Sequence, residues 1–239
     1  MILTAHQPSY LPWLGLFHKI ALADKFVLFD QVQYVPKDWI SRNVIKGPNG
    51  PILLTVPVLR KDYLGKRIVD IEIRNDLPWA KKHWLSIVQG YQKSPYFKRY
   101  ADFFETVYKQ EWKLLADLDY QLLCWFLETL GIATEVSRAG DYDFSGTKSD
   151  LVLDMCVQLK ADVYIFGGQG EDYADQEAFT SGGVTPYFQS YNHPTYRQRF
   201  GEFVPNMSVV DLLFNLGPDS LDVIMSGNVA PDEFRKLHA

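Results

Sequence analysis

Residues 2–30 read ILTAHQPSYLPWLGLFHKIALADKFVLFD, and their pattern decides the fold. Ile2 to Ala5 is an apolar run too short for a helix and reads as a buried strand. From Trp13 to Ala23 the apolar residues Leu14, Phe17, Ile20 and Ala21 share one helical face. Lys25 to Phe29 is a second apolar strand, bounded by Asp24 and Asp30. A strand, helix and strand in this order start a parallel sheet covered by helices. The expectation is an α/β fold with a Rossmann-like parallel sheet. Such sheets bind ligands beyond the carboxyl ends of their strands. His6, Gln7 and Tyr10 fall there. The helix start near Trp13 adds free N–H groups and a positive dipole end, which suit an anion. Gly15 permits close approach of backbone or ligand, and Lys19 lies one helical turn further on.

Outward from this unit, Gln31 to Gly50 is polar and aromatic and ends in KGPNG, strong turn chemistry. It reads as a long structured loop. ILLTVPV (52–58) and VDIEIR (69–74) read as strands paired in a β-hairpin across Leu59 to Lys66. A helical block follows. Asp76 is its candidate cap, and Trp84, Ile87, Val88 and Tyr91 form the first stripe. Tyr100, Phe103, Phe104 and Val107 form the second. The third runs through Leu118, Leu122, Trp125, Phe126 and Leu130 and stops at Gly131. ATEV (133–136) returns to strand character. A helix carrying Val152, Met155, Cys156 and Leu159, the strand VYIF (163–166), a helix near 172–180 and a strand from Thr185 to Gln189 make a second β-α-β unit. Ser208 and Asp211 stand at capping-box spacing. The organisation expected is a single compact unit. Residues 1–75 are the first half of the α/β core with its binding loop. Residues 76–131 are a three-helix insertion, and 132–239 are the second half with C-terminal helices.

The 239 residues carry a net charge of −5, which argues against broad nucleic-acid or anionic-membrane binding but leaves room for one basic pocket. The two cysteines, Cys124 and Cys156, sit in apolar helical patterns and read as buried thiols, which fits a reducing cytoplasm. The N-terminus lacks a signal-peptide pattern, and no apolar run approaches the roughly 20 residues of a membrane span. Zinc-ligand spacing and Gly-x-Ser-x-Gly are absent, and neither cysteine lies in a polar loop. A covalent Ser or Cys nucleophile is not expected. Oligomeric state is left open.

Two further stretches carry chemistry. FDQVQYVPKDWISRNVIK places Asp30, Gln33, Tyr34, Trp39, Arg42, Asn43 and Lys46 together. Arg42 and Lys46 suit a phosphate or carboxylate, and Trp39 suits stacking on a base or sugar. Asp30 suits a ribose hydroxyl, a metal or the role of a base. YNHPTYRQRFG offers His193, Tyr196, Gln198 and Arg199, with His193 the second general acid–base candidate. Asp211 reads as a cap partner and His83 as exposed. SGTKSD (145–150) and GGQGED (167–172) are weaker candidate anion cradles. The catalytic candidates are therefore His6, Asp30 and His193. The candidates for substrate or phosphate binding are Gln7, Tyr10, Gly15, Lys19, Gln33, Trp39, Arg42, Asn43, Lys46, Tyr196 and Gln198.

HQPSYLPWLGLFHKI, FDQVQY, RNVIKGPNG with LTVPV behind it, and YNHPTYRQRFGEFVPNMSVVDLLFNLG together resemble the WbqC-like protein family. The resemblance implies a bacterial cytoplasmic protein linked to surface-polysaccharide (O-antigen) biosynthesis, with glycyl or aminoacyl transfer to an amino sugar as the associated chemistry. The architecture is also similar to the nucleotidylyltransferase superfamily, whose His-x-Gly-His motif is not matched by His6, Gly15 and His18. The leading expectation is a transferase or ligase that uses a nucleotide, ATP among them, or another phosphorylated donor to modify an amine or hydroxyl of a small-molecule substrate. The alternatives are a non-catalytic module that binds a sugar nucleotide or partner, and a metal-dependent phosphate-ester hydrolase built from Asp30, Asp141, Asp143 and Asp172.

Overall fold

The computed structural model describes every residue except Arg60, Lys61, Asp62, Leu64 and Ala239. The chain runs β1 (Ile2–His6), α1 (Leu14–Leu22), β2 (Lys25–Leu28), β3 (Arg42–Gly47), β4 (Gly50–Thr55), α2 (Trp79–Tyr91), α3 (Phe97–Lys109), α4 (Leu115–Leu130), β5 (Glu135–Arg138), α5 (Ser149–Leu159), β6 (Val163–Phe166), α6 (Gln176–Ser181), β7 (Thr185–Phe188), α7 (Val209–Leu216), α8 (Ser220–Met225) and α9 (Pro231–Leu237). Five strands form one parallel sheet in the order β5-β2-β1-β6-β7. The chain winds outward from β1 through β2 to β5, then returns to β6 on the other side of β1 and continues to β7. The β1/β6 boundary is thus the point where the winding reverses, the place where open α/β sheets leave a crevice at their carboxyl ends.

Both faces of the sheet are covered, so its strands read as continuous apolar runs rather than alternating ones. Leu3, Ala5, Val27, Tyr164 and Phe166 pack with Val152, Met155 and Cys156 of α5 and Phe179 of α6. Phe26 and Leu28 pack on the other side with Leu14, Phe17 and Ile20 of α1 and with the aromatic core of α2, α3 and α4. Ile2, Val163 and Ile165 meet Leu22 and Phe234. Gly131 ends α4 in the left-handed conformation at φ 73°, as its position in the sequence predicts. Cys156 is buried and Cys124 half-buried, and both are free thiols. Among the described residues no helix is long and apolar enough to cross a membrane.

The structure corrects the sequence reading in four places. The polar stretch expected to be loop contains β3, which pairs antiparallel with β4 around Gly47–Gly50. This is the β-hairpin, and it replaces the expected pairing of 52–58 with 69–74. That pairing is reduced to a bridge at Val58 and Ile73, held by Leu59 N–H to the Glu72 carbonyl (2.9 Å) and Arg74 N–H to the Pro57 carbonyl (2.8 Å). Ile68–Asp70 is a single 3-10 turn. The crossing itself, Leu59 to Lys66, includes residues outside those described. Asp76 pairs with Arg74 instead of capping α2. Ser208 does cap α7, accepting from Val210 N–H, but the Asp211 carboxylate turns into the core and accepts from the Tyr91 and Tyr196 hydroxyls, both at 2.9 Å. His83, expected to be exposed, is buried with its Nδ1 on the Tyr10 hydroxyl at 2.8 Å.

Beside that pair, Asp119 of α4 is buried, and neither of its oxygens has a hydrogen-bond partner among the described residues. Burial pushes its carboxyl well above the usual range. A raised folded-state pKa means the folded chain holds a proton that the unfolded chain loses above about pH 4. Stability contributed by this site is therefore present in acid and falls as pH rises. Asp119→Leu is expected to stabilise the protein at pH 7 by about 1–4 kcal/mol. The gain should shrink toward pH 4, as read by urea denaturation across that range. An equal or opposite effect at both pH values would refute the assignment.

Candidate functional site

Three strands end in one row at the carboxyl edge, because His6 stands in register with Leu28 and Leu28 with Arg138. His6 is half-buried, and its Nδ1 lies 2.7 Å from the Gln7 carbonyl oxygen. A carbonyl only accepts, so Nδ1 carries the proton and Nε2 keeps its lone pair. Nε2 has no hydrogen-bond partner among the described residues. Burial, then the charge of Lys19, hold the imidazole down to about 4, against a smaller opposing effect of the Gln7 carbonyl.

Lys19 is the unusual group of this edge. It lies in the second turn of α1, only 3% exposed, and its ammonium donates to the Ala5 carbonyl at 2.9 Å. No carboxylate among the described residues pairs with it, and burial alone brings it down to about 7. A buried ammonium with a single carbonyl partner is costly unless an anion completes it. The neighbouring strand β6 is followed by Gly167 and Gly168, and space beside Gly167 is open. Gly170 is a packing glycine, since a Cβ there would meet the Phe166 side chain at 2.4 Å.

One strand further out, Asp30 is fully buried and ion-paired. Its Oδ2 accepts from Arg138 Nε (2.9 Å) and Nη2 (2.7 Å), and its Oδ1 accepts from Gln31 Nε2 at 3.1 Å. Arg138 also donates to Asp117 at 2.8 Å, and Gln31 Oε1 accepts from Arg67 at 2.8 Å. Arg67 in turn pairs with Asp70. Gly140 leaves room for this chain of contacts, because a Cβ there would stand 2.9 Å from Gln31 Nε2. Above it opens a cavity of about 330 Å³ whose walls include Phe29, Gln31, Arg67, Tyr142, Phe144 and Leu151. Of this group the sequence singled out Asp30, but not Gln31, Arg67, Arg138, Tyr142 or Phe144. The available signal was the aromatic pair in GDYDF just past a strand.

The sequence model of the WbqC-like protein family matches residues 7–223. The chain belongs to the WbqC-like protein family. It is also 32% identical over 220 residues to an uncharacterized protein of Mycobacterium tuberculosis, Rv1507c, covering 91% of this chain and 95% of that one. No solved structure matches it.

In this WbqC-like chain the other singled-out residues are scattered. Gln7 is half-buried beside His6, while Gln33 is exposed and bridges Arg67 through its backbone. Tyr10 is withdrawn into the helical block, where its hydroxyl meets His83 and Tyr108. Gly15 makes room for the Trp13 indole, which a Cβ would meet at 2.3 Å. Asn43 is a clamp on the opening loop, donating to the Tyr10 and Leu11 carbonyls at 3.2 and 2.7 Å. Arg42 sits on β3, lies 5.4 Å from the exposed Trp39 ring and donates to the Lys37 carbonyl. Tyr34 is buried against Ser41. Lys46 is buried too, donating to Gln198 Oε1 at 3.1 Å and to the Glu202 carbonyl. With Tyr196, Tyr91 and Asp211 it fastens the tail to the hairpin. His193 has both nitrogens engaged, Nδ1 donating to the Pro194 carbonyl at 2.9 Å and Nε2 accepting from Asn206 N–H at 3.2 Å. Among the described residues no three His, Cys, Asp or Glu side chains gather as a metal-binding group, so the four aspartates of the hydrolase reading do not assemble one.

Arg138→Met should cost about 3–5 kcal/mol in urea denaturation, because it strands the Asp30 carboxylate inside the protein. The double variant Asp30→Asn, Arg138→Met should recover part of that loss. A single-variant cost under about 1 kcal/mol, typical of surface pairs, would show that the pair does not organise this edge.

Proposed function

We propose that this chain is a transferase that takes a small-molecule donor activated by phosphate and passes its acyl group to an amine or hydroxyl. The observation that carries the reading is the buried, carboxylate-free Lys19 ammonium beside His6 at the β1/β6 boundary. An anionic phosphate seated there completes the ammonium and neutralises it. Neutralising Lys19 also relieves the charge that depresses His6, so donor binding makes the imidazole a better base. The acceptor N–H or O–H then attacks the acyl carbon. A new bond to nitrogen or oxygen forms, the bond from carbon to the phosphate oxygen breaks, and the proton passes to His6 Nε2. The phosphate leaves as an anion held by Lys19. Asp30 and His193, with their polar atoms already engaged, serve as positioning residues. Family membership supports a cytoplasmic setting in surface-polysaccharide biosynthesis, with an aminoacyl or glycyl group as cargo and an amino sugar as acceptor.

Isothermal titration with tripolyphosphate tests the anion site. Lys19→Met should weaken binding at least about tenfold, the scale of one charged hydrogen bond. Since the anion favours protonated Lys19, affinity should be highest below pH 7 and decline as pH rises above it, with a proton taken up on binding. His6→Ala should leave tripolyphosphate affinity within about twofold. A loss as large as that of Lys19→Met would favour a simple binding module over a catalyst. Binding that is indifferent to Lys19→Met would refute the site.

A further inference from the structure

Resting on the donor reading above, we propose that the cavity beyond β2 and β5 is the subsite for the nucleobase of the donor, so that the activating group is a nucleoside 5′-phosphate. The cavity begins one residue past the row that contains His6. Phe29 follows Leu28, and Ala139 follows Arg138. Neighbouring strands lie about 4.8 Å apart, so its mouth is one to two strand spacings from His6, a distance that a ribose and its phosphate bridge. At about 330 Å³ it falls within the range of small-molecule sites.

Its chemistry matches a base better than a sugar. Phe29, Tyr142 and Phe144 make its aromatic wall; the Tyr142 ring stacks on Phe144 at 4.9 Å and 18°, with the Lys25 ammonium 5.6 Å from its centroid. The polar side chains on its wall are Gln31, Arg67 and Asp143, with the Tyr142 hydroxyl. Gln31 is held at both ends, by Asp30 and by Arg67, so each end of its amide keeps only part of its hydrogen-bonding capacity for a ligand. A flat heterocycle needs an aromatic slot and a few edge contacts. Asp30, the acid after the second strand, is fully buried beneath Arg138 and Gln31 and is not presented to a ribose. Ribose recognition would fall to the cavity rim instead.

Ligand-observed saturation-transfer NMR with adenosine, guanosine, cytidine and uridine, each free of phosphate, tests this subsite apart from the anion site. At least one nucleoside should bind the full-length protein. Tyr142→Ala should weaken it about 5- to 100-fold, the scale of one base–aromatic stack, and leave tripolyphosphate affinity unchanged. Leu151→Trp, which fills the cavity, provides a second variant if Tyr142→Ala folds poorly, and should abolish nucleoside binding. Lys19→Met should do the reverse, sparing the nucleoside. If no nucleoside binds, or if binding survives both cavity variants, the base subsite is refuted, even where tripolyphosphate still binds through Lys19. If N-acetylglucosamine binds and Leu151→Trp removes it while nucleosides stay silent, the cavity is a sugar site and the proposal falls. Loss of tripolyphosphate binding alone would overturn the donor reading while nucleoside binding upheld the cavity.

Discussion

The placement of β1 at the middle of the sheet governs everything around the site. A central parallel strand is hydrogen-bonded on both edges and buried on both faces, so its only exit is at its end. There the chain must turn, and the two neighbouring strands belong to connections that diverge. His6 occupies the end of the strand, and Lys19 reaches the same place from α1. Strand end and helix thus bring together an imidazole and an ammonium that has no carboxylate partner among the described residues.

The edge is kept open by fixed supports on either side. The Asp30–Arg138 ion pair joins β2 to β5 at their ends, and Gln31 and Arg67 extend it outward. On the other side Gln189, just past β7, donates to the Gly15 carbonyl at 2.9 Å and bonds His18 at 2.8 Å. Trp13 bridges Ser208, and its ring meets Tyr191 edge-on at 5.5 Å. Buried polar groups of this kind gain little net stability, but they fix orientation when every partner is supplied. Asp119 is the contrast within the same molecule, a buried carboxyl whose partners are not supplied.

Much of the scaffold was legible because burial on two faces leaves a plain apolar signature. KFVLF and VYIF announce strands, and the amphipathic stripes announce α2, α3 and α4. β3 was hidden for a physical reason. Asn43 and Lys46 are buried polar residues whose partners, the Tyr10 and Leu11 carbonyls and Gln198, lie far away in the chain, so local polarity mimics a loop. His6 and Lys19 stood out as residue types at a strand-to-helix junction, but the lack of a counter-charge is a tertiary fact. The cavity was invisible for the same reason. Phe29 and Tyr142 come from segments that only strand pairing brings together, and the sequence does not announce that β5 lies beside β2. For His193 the sequence shows the residue type but not the partners of its two nitrogens, the Pro194 carbonyl and the Asn206 N–H.

The pairing of β1 with β6 has a consequence for how the chain is made. The innermost strand is made well before one of its two neighbours, because Ile2 of β1 pairs with Val163 of β6. Until that late segment emerges, an apolar strand has an open edge, the kind of surface that attracts unwanted pairing. The central strand, and with it the row that holds His6, is therefore complete only once β6 has been made.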